Sequence, residues 1–213
     1  MRNLINLFSI LIITLFFAVP GLSANDLANA LDESYKAETE KDYEKAYSII
    51  EDIMEEVTDE FGLYTIQMRL GYLNNLLKKY KEAAENYNAA ALLRPKAIEP
   101  MLYLQYQYLI LQDWSKLIDV CIKALKLDPN NYTSKTRLAY SFYMTGNYEQ
   151  SASEYLEVLS LYPLDIDVMN MIGWSYVFLG MKDEAKKIFK TVTTISPGNT
   201  SANEGLDYLK NLK

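Results

Sequence analysis

Residues 127–165 read LDPNNYTSKTRLAYSFYMTGNYEQSASEYLEVLSLYPLD. Pro129 and Pro163 sit 34 residues apart in this stretch, and the same spacing runs outward to Pro95 and Pro197. A fixed period of this length marks a repeat architecture, in which each unit buries its apolar face only by stacking on its neighbours. Aligned units begin at Tyr64, Ile98, Tyr132 and Ile166. Position 7 then reads Leu70, Leu104, Leu138 and Ile172, and position 11 reads Asn74, Tyr108, Phe142 and Tyr176. Position 17 reads Tyr80, Trp114, Tyr148 and Lys182; position 20 reads Ala83, Leu117, Ser151 and Ala185; position 27 reads Ala90, Ala124, Val158 and Val192.

Residues at 7 and 11 lie one turn apart on a helix, and 20, 24 and 27 form the matching face of a second one. Small residues at 8 (Gly71, Ala139, Gly173) and at 20 allow the two helices close approach. Gly146 and Gly180 at position 15 end the first helix in a tight turn, and the proline stops the second. The strings Gly146-Asn147-Tyr148, Ile172 to Tyr176 (IGWSY) and Leu127 to Asn131 (LDPNN) carry a resemblance to the tetratricopeptide repeat family. The resemblance implies an all-α, right-handed α-solenoid of about five helix-turn-helix units. Their expected bounds are 27–63, 64–97, 98–131, 132–165 and 166–199, with a capping helix over 200–212. The first unit is read from Lys41 to Ala46 (KDYEKA), with Tyr43 at position 17 and three extra residues near 58–63.

The unit from Ile98 departs from the pattern. Gln105 stands at position 8, Gln112 at the turn position and Leu117 at position 20, while Cys121 replaces the aromatic found at 24 in Tyr87, Tyr155 and Phe189. Leu117 and Cys121 read as an exchange of volume within one core layer, and Cys121 as a small core hydrophobe.

Residues 1–24 precede the repeats. Arg2, an apolar run from Leu4 to Val19, then Pro20, Gly21 and the small pair Ser23-Ala24 read as a secretory signal peptide. An uncleaved membrane anchor is the alternative, although sixteen residues are few for the roughly 20 that span a bilayer. Export to a periplasm or cell envelope is expected. The chain of 213 residues has formal net charge −7. Losing residues 1–24 removes Arg2 and no acid. An acidic chain without a basic stretch is a poor nucleic-acid binder.

The chain has no histidine, one cysteine and eighteen tyrosines. Without histidine the commonest general base and imidazole metal ligand are missing, and one cysteine makes no internal disulfide. The chain is read as a non-enzyme that needs no metal or cofactor. The acids between Glu51 and Glu60 are read as a solvated helix face rather than a calcium site. Asn131 and Asn199 begin glycosylation sequons, in places where asparagine also suits a turn.

In the family, first helices line the concave face, so the resemblance places a ligand there. Position 9 reads Tyr35, Tyr72, Tyr106, Tyr140, Trp174 and Tyr208. With helices 8–10 Å apart, six rungs make a ladder roughly 50 Å long. Such aromatics either anchor a partner or fill the seam between units. Leu102 at position 5 and Tyr143 at position 12 add to the expected groove. Arg69 and Arg137, at position 6 of alternate units, either take carboxylates of a ligand or pair with surface acids. The family's carboxylate clamp needs asparagine at 9 and lysine at 5, and is rejected. The expected function is a protein–protein interaction scaffold binding a partner segment in the groove, in assembly or maintenance of an envelope complex. A glycan-binding protein and a self-associating platform are the alternatives.

Overall fold

The computed structural model describes residues 24–212. The signal-peptide reading, apart from Ala24, falls outside them. The described chain is built of α1 (Ala24–Thr39), α2 (Tyr43–Ile53), α3 (Glu60–Leu76), α4 (Tyr80–Leu93), α5 (Glu99–Ile110), α6 (Trp114–Leu127), α7 (Tyr132–Met144), α8 (Tyr148–Leu161), α9 (Ile166–Phe178), α10 (Lys182–Ile195) and α11 (Thr200–Asn211). Each helix packs on the next, and the first helices also touch across units, α5 on α7, α7 on α9 and α9 on α11. The architecture is an α-solenoid. Each of the four period-setting prolines lies two residues beyond the end of a second helix. The additional residues ahead of Tyr64 are partly taken up by α3, which begins at Glu60 and is one turn longer at its start than α7 or α9.

Helix entry and exit follow local chemistry. Asp59, Asn131, Asp165 and Asn199 each accept a hydrogen bond from the backbone N–H three residues on, capping α3, α7, α9 and α11. Both sequon asparagines are therefore helix caps. At the turns, the backbone N–H of Lys79, Asp113, Asn147 and Met181 donates to the carbonyl of Asn74, Tyr108, Phe142 and Tyr176 at 2.8–3.0 Å, the closing bond of a Schellman turn. The turn needs a left-handed residue one place earlier. Gly146 and Gly180 supply it at φ 78° and 75°, but Lys41, Lys78 and Gln112 adopt the same conformation at φ 63°, 59° and 54°. The departure from glycine at Gln112 thus changes the residue and not the turn, because the surrounding helix ends over-determine the backbone.

The core is a line of contacts between a small residue at 8 and an aromatic at 24. A Cβ added at Gly71 would stand 2.9 Å from Tyr87 Cε1, and one at Gly173 would stand 2.5 Å from Phe189 Cε1. Phe189 is held from the other side by Gly205 of α11, which is how the tail helix covers the last unit. Ala139 and Tyr155 share one core cluster in the same way. In the third unit this register sets Gln105 opposite Cys121, and both are fully buried. Cys121 packs with Leu117 and Leu138. The small thiol compensates for the amide at 8 as well as for Leu117 at 20.

Gly173→Ala should therefore destabilise the fold by about 1–3 kcal/mol through overpacking. Phe189→Leu introduced into that variant should recover part of the loss, as read from urea midpoints in a double-mutant cycle.

Candidate functional site

Arg69 and Arg137 are inter-unit clips. Arg69 is almost wholly buried between α3 and α1. Its Nε and Nη2 donate to Ser34 Oγ at 3.1 and 3.0 Å, and its Nη1 pairs with Glu38. Arg137 Nη1 donates to the Leu102 carbonyl at 2.8 Å and to Gln105 Oε1 at 3.3 Å, between α7 and α5. Gln105 in turn donates to Ser134 Oγ at 2.9 Å. In both cases the arginine at position 6 meets a polar residue at position 8 of the preceding unit. Where position 8 is Gly71 or Ala139, the next position 6 is Tyr103 or Met171. Arg137 pairs with no acid among the described residues; its Nη1 is held by the backbone and amide oxygens, and the residue lines a cleft.

The position-9 ladder divides. Tyr35, Tyr72, Tyr106 and Tyr208 are 54%, 38%, 42% and 46% exposed. Tyr140 and Trp174 are half-buried. The Tyr140 ring meets Trp114 edge-on at 5.9 Å. Trp174 donates from Nε1 to Ser201 Oγ at 2.9 Å and packs on Phe189, Phe178 and Tyr208. Tyr143 is also half-buried, edge-on to Tyr148 and Phe178 at 5.5 and 5.8 Å. At the other end, the Arg69 guanidinium lies 4.0 Å from the Tyr35 ring centroid, and the Tyr72 hydroxyl donates to Glu38 Oε1 at 2.9 Å.

Two adjoining clefts lie on the first-helix face. One, of about 360 Å³, runs between α1, α3 and α5 and includes Tyr35, Tyr64, Met68 and Arg69. The other, of about 530 Å³, runs over α3, α5 and α7 and includes Leu102, Tyr106, Gln107 and Arg137. Tyr72, Tyr87, Glu99 and Tyr103 line both. Six of the ten expected groove residues thus converge on one surface: Tyr35, Tyr72, Tyr106, Arg69, Arg137 and Leu102. Tyr140, Trp174, Tyr143 and Tyr208 line neither cleft.

Sequence reasoning missed Tyr64, Glu99, Tyr103 and Gln107. Tyr103 carried a signal, being the ring that stands where the alternate units have arginine. It stacks on Tyr87 with centroids 5.1 Å apart and planes 16° from parallel. Burial first, and the charge of Glu99 second, push the Tyr64 phenol above its ordinary value. Gln107 donates to Asn75 Oδ1 at 3.2 Å, while its own Oε1 is buried without a partner.

Family models described as tetratricopeptide repeats match residues 136–165 and 166–199. Residues 136–199 thus carry two tetratricopeptide repeats. Among known proteins, it is 28% identical over 127 residues to the BBSome complex member BBS4 of Bos taurus, which covers 60% of this chain and 24% of that protein. The chain spans about a quarter of the length of that curated relative. Among solved structures, the chain is similar to MamA at 18% identity and TM-score 0.70, covering 90% of this chain and 97% of that one. It is similar to a tetratricopeptide repeat protein of Parabacteroides merdae at 18% identity and TM-score 0.76, covering 87% and 72%. It is also similar to YrrB, described as a tetratricopeptide repeat protein with an unusual peptide-binding site, at 14% identity and TM-score 0.73, covering 86% and 94%. At these identities the structural likeness is one of fold. Among the described residues no group of acids, cysteines and histidines is placed to hold a metal, and no helix is long and apolar enough to cross a membrane.

Two outcomes are expected of the buried groups in this solenoid. Arg69→Met leaves the Glu38 charge without its cation and Ser34 Oγ without its donor, and should cost about 3 kcal/mol, against under about 0.5 kcal/mol for Glu60→Gln at the exposed Arg94 pair; thermal melts compare the two. Burial pushes the Cys121 thiol from 9.0 up to about 12. Below pH 9 the thiol is protonated in both states; above it the unfolded chain ionises first, so stability falls with rising pH. Urea midpoints between pH 9 and 10 should fall less steeply in Cys121→Ser than in wild type, and the native thiol should resist labelling.

Proposed function

We propose that this chain is a non-catalytic scaffold that captures an extended segment of a partner protein along the first helices of its N-terminal units. We infer further that it works after export, within an envelope complex. The observation that carries the reading is the continuous depression formed by the two clefts, lined by Tyr35, Tyr72, Tyr103 and Tyr106 with their rings partly open to solvent. Tyrosines borne on packed helices present large area and a polar tip with little left to order on binding, and such residues are the common anchors of interfaces. The peptide-binding site in the description of YrrB supports the same use of this fold. Beyond Tyr106, Tyr140 and Trp174 are half-buried in ring contacts and Tyr208 lines neither cleft, so the proposed groove is shorter than a six-rung ladder.

Capture of a native partner by the full chain tests this. Tyr72→Ala combined with Tyr106→Ala should abolish capture and leave helical circular dichroism unchanged. Tyr140→Ala, which opens the contact with Trp114, should instead lower the melting temperature while capture survives below it. Undiminished capture by an intact Tyr72/Tyr106 variant removes the groove assignment. Competition of capture by soluble glycans would turn the reading toward sugar stacking.

A further inference from the structure

We propose that the junction of the two clefts is a cation subsite, in which Tyr72 and Tyr103 over Tyr87, closed by the Glu99 carboxylate, hold a lysine or arginine side chain of the bound segment. The proposal rests on the groove reading above and names the chemistry of its occupant.

The charges in the groove decide the sign. Arg69 is spent on Ser34 and Glu38, while Arg137, which lines the second cleft alone, donates from Nη1 to the Leu102 carbonyl and Gln105. Both Glu38 oxygens are engaged, one by Arg69 and one by the Tyr72 hydroxyl. At the junction, the side chains on offer are therefore tyrosines and the Glu99 carboxylate. Glu99 is exposed at the start of α5, and no cation lies within ion-pair distance of it among the described residues. Gln107, lining the second cleft, has an unpartnered Oε1. At the junction a carboxylate would meet tyrosine hydroxyls but no cation, and would face Glu99. A lysine ammonium has donors alone, and an arginine guanidinium likewise.

The rings complete the match. A cation within about 6 Å of a tyrosine centroid is attracted to the ring face. The chain already uses this contact on the same helices, with Arg69 at 4.0 Å from Tyr35 and Arg94 at 5.3 Å from Tyr64. Tyr72, Tyr87 and Tyr103 line both clefts, and the one charge that lines both beside them is Glu99. The corresponding place two units on has Tyr140, Tyr155 and Asp167 but Met171 in place of Tyr103, and it lines neither cleft. The subsite is therefore a property of the N-terminal units and not of the repeat as such.

Binding of two blocked, fluorescein-labelled twelve-residue peptides to the full chain tests the subsite by anisotropy. One contains leucines and two lysines; the other has glutamates in place of the lysines. The lysine peptide should bind at least tenfold tighter. Glu99→Gln should weaken it on the order of tenfold, and Tyr103→Leu, which keeps apolar bulk but removes the ring, should weaken it several-fold. Asp183→Asn, the same change of net charge on exposed α10, should leave it unchanged. Equal losses in Glu99→Gln and Asp183→Asn, or a preference for the glutamate peptide, overturn the subsite. Native capture that is lost in the Tyr72/Tyr106 variant but kept in Glu99→Gln overturns the cation subsite while the groove reading stands.

Discussion

A ring laid against a residue with almost no side chain is the contact on which this molecule depends. Tyr87 on Gly71 and Phe189 on Gly173 set how closely each first helix approaches its second. That distance sets the pitch at which units stack, and the pitch sets the spacing of everything displayed on the first-helix face. The third unit shows that the constraint is on volume and not on identity. Gln105 and Cys121 fill the same space with the bulk moved from the second helix to the first. The exchange then creates chemistry that the units with glycine or alanine at 8 lack, because the Gln105 amide can anchor Ser134 and Arg137 where glycine could anchor nothing.

The helix pairs were legible in the sequence because their determinants are local and periodic. The prolines, the aromatics at 24 and the small residues at 8 each announce themselves once per unit. The turns were only half legible. Gly146 and Gly180 could be read, whereas Lys78 and Gln112 reach the same left-handed backbone without any residue that favours it, and only the hydrogen bond closing across the turn reveals it. The groove was less legible again. Position 9 marks a face of a helix, but a face can be open or covered depending on neighbours that lie a full unit away. Trp174 is covered because Tyr208 and Ser201 belong to a final helix that lies against it. Tyr106 is open because nothing corresponding reaches it. Glu99 carried no signal at all, since one acid at the start of a helix looks like any favourable dipole partner.

The two halves of the described chain accordingly differ in what they do with the same aromatic stock. Toward the C-terminus, Tyr143, Tyr148, Phe178, Trp174 and Tyr208 form a continuous set of ring contacts. Toward the N-terminus, the rings are drawn apart by buried polar groups. Arg69, Ser34 and Glu38 occupy the seam that rings would otherwise fill, and Tyr35 and Tyr72 are left standing above it. Polar clips under the first-helix face are thus what keep aromatic surface open there.

Those clips also give the chain a longer period than its prolines suggest. Arginine at 6 recurs in every second unit, along with Tyr-Thr at positions 1 and 2 in Tyr64-Thr65 and Tyr132-Thr133, alternating with Ile98-Glu99 and Ile166-Asp167. Each arginine matches a polar residue one unit back, so removing a single interior unit would bring Arg137 against Gly71, or leave Ser34 beneath Tyr103 or Gln105 beneath Met171. The inheritable module of this solenoid is the doublet. Loss of the unit from Tyr64 would strand Glu38, and loss of the unit from Ile98 would strand Arg137, so a change of length by design is safest in pairs of interior units.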